Sequence, residues 1–117
     1  MKPEQQRIAI AEVCGWKVEQ LASGWLWTHP NYGPRLNTGC PDYPSDLNAM
    51  HEAEKVLEPY QAEEYVMALA CILLNEVSRD LLTYEQTANW YNIFVLLNAT
   101  AAQRSEAFLR TLNLWKS

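Results

Sequence analysis

The sequence predicts an α+β fold: a small antiparallel sheet of two or three strands sandwiched by about four helices. Three observations carry that expectation. Four stretches place apolar residues at helical spacing between turn signals, one short stretch alternates as a strand does, and 49% hydrophobic content supplies a core. At 117 residues the chain fits one domain spanning 1–117.

Pro3 and Gly15 bracket the first helix. Proline at a first helical position lacks only an N–H that the helix leaves unpaired, and glycine just past the end accepts a left-handed cap. Ile8, Ile10, Ala11, Val13 and Cys14 give this helix its buried side, and Trp16 anchors the exit. Gly24-Trp-Leu-Trp-Thr28 then alternates as a strand, with Trp25 and Trp27 on one face. From His29 to Pro44 four prolines and two glycines predict a long loop.

Ser45 or Asp46 caps the second helix, on which Leu47, Met50, Ala53 and Leu57 share a face. Pro59 starts a third helix. Its wide apolar face of Ala62, Tyr65, Val66, Leu69, Ile72, Leu73 and Val77 marks it as the centre of the core, and it should end near 78–82. Residues 90–97 are rich in aromatic and branched side chains and predict a buried strand, with helix as the competing reading. Thr100-Ala-Ala-Gln103 fits a capping box opening the last helix, whose stripe is Ser105, Phe108, Leu109 and Leu112, closed by Trp115.

The chemistry is sparser than the architecture. Cys14, Cys40 and Cys71 are widely spaced, with no C-x-x-C pair, which disfavours a disulfide framework or structural zinc. Cys14 and Cys71 fit buried positions, while Cys40 falls in the loop, where it could be exposed. His29 and His51 are the only histidines, and a ligand set of His29, Cys40, Asp42, Asp46 and His51 matches no metal-site spacing. Asp42 and Asp46 flank a helix start, where the helix dipole favours negative charge. No nucleophile elbow, P-loop or dinucleotide fingerprint occurs, so neither an enzyme nor a cofactor is expected. Net charge is −5, and the nine basic residues are scattered, which argues against direct nucleic-acid binding. No apolar run approaches the roughly 18 residues of a membrane span, and residues 1–20 hold three glutamates rather than a signal-peptide core. A cytoplasmic location is expected.

Aromatic and polar groups converge in the strand and loop. Trp25, Trp27, Tyr32, Arg35, Asp42 and Tyr43 are the candidate binding residues, since interfaces and ligand pockets are anchored by such side chains. The alternative is that the tryptophans complete the core.

Two segments carry a family resemblance. They are Pro41-Asp-Tyr-Pro-Ser-Asp-Leu-Asn-Ala-Met-His-Glu-Ala-Glu-Lys-Val-Leu57 and Ala99-Thr-Ala-Ala-Gln-Arg-Ser-Glu-Ala-Phe-Leu-Arg-Thr-Leu112, with Cys14-Gly15-Trp16 beside them. Together they resemble the phage ABA-sandwich domain family of small phage and prophage proteins. The resemblance is strongest over 41–57 and 99–115 and weaker over 60–98. It implies a sheet with helices on both sides and a viral origin, and it brings no particular activity. The expectation that follows is a non-enzymatic accessory protein in a host bacterial cytoplasm, acting through a binding surface on a host protein, including a defence protein. A small-molecule or nucleotide-signal binder is the alternative, and an enzyme the last.

Overall fold

Pro3 and Gly15 bound the first helix as their chemistry requires. In the computed structural model, which describes residues 1–36, 39–74 and 96–117, the helix α1 runs Pro3–Val13. Gly15 has φ +98°. The Trp16 N–H then donates to the Ala11 carbonyl at 2.9 Å and the Gly15 N–H to Glu12 at 3.2 Å. This double closure is a Schellman cap, and it needs a residue that tolerates the left-handed region. It also turns Trp16 inward, where the side chain is buried.

Three antiparallel strands follow in the order β1 (Lys17–Leu21), β2 (Gly24–His29) and β3 (Gly33–Leu36). The α+β expectation and its small antiparallel sheet are therefore met. Two details differ. Lys17–Leu21 is a strand although only Val18 and Leu21 are apolar, because pairing with the tryptophan strand supplies what its own pattern lacks. Gly33–Leu36 is a strand inside the expected loop. Pro34 is tolerated because β3 is an edge strand, where a missing N–H need cost no ladder bond.

The register sorts the side chains. Val18 faces Trp27 and Gln20 faces Trp25, while Trp27 faces Arg35 and His29 faces Gly33. Period-2 alternation thus puts Trp25, Trp27, His29 and Arg35 on one face of the sheet. Lys17, Glu19, Leu21, Thr28 and Pro34 lie on the other and are exposed.

Helices α2 (Leu47–Glu54), α3 (Pro59–Leu74) and α4 (Ala101–Thr111) complete the described elements. Asp46 caps α2 by accepting from Asn48 at 3.0 Å and Ala49 at 3.3 Å. Met50 and Ala53 are buried as expected, but Leu47 is exposed, because it stands at the first helical position with a full set of neighbours on one side only. Thr100 and Gln103 form the expected capping box of α4.

Among the described residues, α4 rather than α3 is the centre of the helical core. It packs on α1, α2 and α3, and its Ala107, Phe108 and Leu109 are wholly buried. On α3, Tyr65 and Leu69 join the core while Val66 is exposed. Small residues at Ala101, Ser105 and Ala107 let α4 approach its neighbours closely, which a more apolar but bulkier helix does less well.

The expected end of the third helix and most of the expected strand over 90–97 lie outside the described residues. Leu96 and Leu97 are described, and both belong to a helical turn, not a strand. No helix among the described residues is long and apolar enough to cross a membrane.

Candidate functional site

The turn after β2 builds the site. A three-residue connection, Pro30-Asn31-Tyr32, joins β2 to β3 and is closed by the Tyr32 N–H donating to the His29 carbonyl. The Asn31 N–H donates to His29 Nδ1 at 3.0 Å, and His29 Nε2 lies 3.0 Å from the Cys14 carbonyl. A backbone N–H can only donate and a carbonyl can only accept. The ring therefore carries its proton on Nε2, and neither nitrogen is left for a substrate.

Around this fixed imidazole the aromatic rings gather. Trp16 and Tyr32 stack at 5.9 Å with 12° between their planes, and His29 packs 5.0 Å from Trp16 and 4.7 Å from Tyr32. The Arg35 guanidinium lies 5.6 Å from the Trp16 ring and 5.8 Å from the Tyr32 ring. These are cation–π distances. Trp16 is the buried base of the cluster, whereas Tyr32 is 57% exposed.

Between this cluster and α2 lies a half-open cleft of about 320 Å³. Its sheet side carries Trp16, His29, Asn31, Tyr32 and Arg35, and its helix side carries Ala49, Glu52, Ala53, Lys55 and Val56. Cys14 and Tyr43 also line it. Lys55 donates to Glu52 at 2.8 Å. That hydrogen bond, and then the Glu52 charge, hold the ammonium pKa above the usual lysine value. The Tyr43 phenol is pushed up, first by burial and then by Cys14 beside it. Burial also raises the thiols of Cys14 and Cys40, so both are poor nucleophiles.

Of the six candidate residues, the cleft brings together Tyr32, Arg35 and Tyr43. Trp27 is buried and belongs to the core, and Gly39 packs so close that a Cβ there would lie 2.7 Å from its indole. Trp25 lies on the same sheet face as Trp27 but is 49% exposed, near the far end of β2 and outside the cleft, so it neither completes the core nor joins the site. Asp42 is exposed and also outside it. Its carbonyl accepts from Ser45 and Asp46, which shapes the turn into α2. Cys40, expected in an exposable loop, is buried, because the Arg7 side chain reaches across from α1 and donates to the carbonyls of Cys40 and Pro41.

Trp16, His29, Glu52 and Lys55 are cleft residues that the sequence did not single out as binding groups. The cap at Gly15 was the available signal for Trp16, while the helix-side residues are far off in sequence and had none. Among the described residues no group of three or more His, Cys, Asp or Glu side chains could hold a metal. His51, for example, is exposed and pairs with Glu54 at 3.0 Å.

The fold and cleft define a small α+β domain with a mixed aromatic and cationic concavity. Comparison with protein-family models, with curated proteins and with solved structures finds no match to this chain. A functional reading therefore rests on the cleft.

Proposed function

We propose that this chain is a small non-enzymatic binding protein, an accessory factor of a phage or prophage that works in the host bacterial cytoplasm. Its working surface is the cleft with Tyr32 and Arg35 at the rim. The observation that carries this reading is that two exposed anchor side chains are already held in place, by stacking on the buried Trp16, beside a concavity. Groups ordered before binding lose less entropy when a partner arrives. The engaged nitrogens of His29 and the Lys55–Glu52 pair favour holding a ligand over transforming one.

Two occupants fit the sequence reading: a host protein, including a defence protein, or a small ligand. The cleft volume favours the small ligand, since about 320 Å³ falls at the lower end of the range of small-molecule pockets. A fragment screen read by backbone and indole NMR shifts tests the assignment. Hits should move Trp16, Asn31 and Tyr32. The double variant Tyr32→Ala with Arg35→Ala should weaken them by at least about 2 kcal/mol, with the melting temperature held to within a few degrees. Early melting would make the rim part of the core, and unchanged binding would place the site elsewhere.

A further inference from the structure

We propose that the cleft selects small planar anions, taking an aromatic ring against Tyr32 and a phosphate or carboxylate group at Arg35, with Lys55 as a second cation. This deepens the small-ligand reading of the same cleft and rests on it.

The described arginines divide by what they hold. Arg7 pairs with Glu4, Arg104 with Glu54 and Arg110 with Glu106. Arg35 is exposed and, among the described residues, has no carboxylate partner; its contacts are the two ring faces. Ring faces fix the position of a guanidinium without using its fork of N–H donors, which matches the two oxygens of a carboxylate or phosphate.

Lys55 comes to the same cleft from α2, twenty residues later in the chain. It lines the cleft together with Tyr32. Glu52 occupies one ammonium proton and leaves two for a ligand. Arg35 and Lys55 stand against Glu52 alone, so the cleft lining is positive on a chain whose net charge is −5. An anion repelled by the bulk of the surface finds its favourable field here.

Tyr32 supplies the planar contact. Stacking on Trp16 fixes its ring, and its large exposure leaves area for another flat group. A ring or an anion alone would use half of these features.

The test is a titration of the full chain, followed by calorimetry, with five probes: adenosine 5′-monophosphate, adenosine, inorganic phosphate, indole-3-acetate and the cationic tryptamine. Adenosine 5′-monophosphate should bind at least about tenfold more tightly than adenosine or phosphate, as a charge-assisted contact added to stacking requires. Indole-3-acetate should likewise exceed tryptamine if carboxylate serves as well as phosphate. Arg35→Ala should cut the preference for the monophosphate over adenosine severalfold, Arg35→Ala with Lys55→Ala should erase it, and Arg35→Lys should restore part of what the single variant loses. Equal binding of adenosine and its monophosphate, or a preference that Arg35→Ala leaves undiminished, would overturn the anion assignment while leaving a ring-binding cleft. Absence of binding by every probe, in a chain shown to be folded, would overturn both.

Discussion

Phe108 has no exposed surface, and its ring packs edge-to-face with that of Tyr65, the centroids 6.5 Å apart, between α4 and α3. Truncating such a residue removes its transfer free energy and leaves a cavity the close-packed neighbours fill only in part. Phe108→Ala should therefore cost about 3–5 kcal/mol, enough to unfold much of a domain of ordinary marginal stability. A thermal melt shifted by less than a few degrees would show that the stripe is not the core. Arg104 on the same helix illustrates the other kind of buried residue. It donates to the carbonyls of Ala99, Leu96 and Leu97 and pairs with Glu54 at 3.2 Å. Its guanidinium is thus satisfied, which is the condition under which a charge can be buried at all.

Helix ends are where local sequence decides structure, and α4 shows both of them. Thr100 Oγ1 accepts from the Gln103 N–H at 3.2 Å, and Gln103 Oε1 accepts from the Thr100 N–H at 2.9 Å. At the other end Asn113 takes φ +60°, and the Leu114 N–H donates back to Leu109 at 2.8 Å. Thr100→Ala should remove one half of the capping box and cost about 1 kcal/mol, read as a lowered urea midpoint at unchanged slope. Thr100→Ser should restore it; failure to do so would mean that the methyl group, not the cap, was lost. The same locality explains what the sequence made legible. Pro3, Gly15 and the Thr100–Gln103 box each act within one turn, so three helix boundaries could be placed without a partner. β1 and β3 depend on pairing with β2, and neither carries a strong pattern of its own. The cleft was half visible: Tyr32, Arg35 and Tyr43 lie close in sequence, but Glu52 and Lys55 reach it only through the placement of α2. Arg104 was hidden for the same reason, its carboxylate partner being Glu54 on another helix.

Across the whole molecule, burial of ionisable groups links folding to pH on the alkaline side. Tyr43 and Tyr65 are both nearly inaccessible. Burial is the first cause pushing each phenol well above its ordinary value of 10.0, with Cys14 adding to the shift at Tyr43 and Glu54 at Tyr65. The thiols of Cys14 and Cys40 are raised from 9.0 by burial as well. An acid whose proton is held more tightly in the folded state favours folding fully below its unfolded pKa. Above that value the unfolded chain sheds the proton and the folded chain does not, so stability falls until the folded group also ionises. The loss should begin near pH 9 with the two thiols and steepen above pH 10 with the two phenols. Each fully linked group contributes at most about 1.4 kcal/mol per pH unit. Growing negative charge on a chain already at −5 adds a repulsive slope of its own, so the phenols must be isolated. Tyr43→Phe with Tyr65→Phe removes both titrations and keeps both rings. Urea midpoints measured from pH 8 to pH 11 should fall more steeply for the parent than for this double variant above pH 10, while below pH 9 the two slopes coincide. Parallel curves throughout would mean that the phenols ionise alike in both states and that their burial around α4 and the cleft floor is wrongly placed.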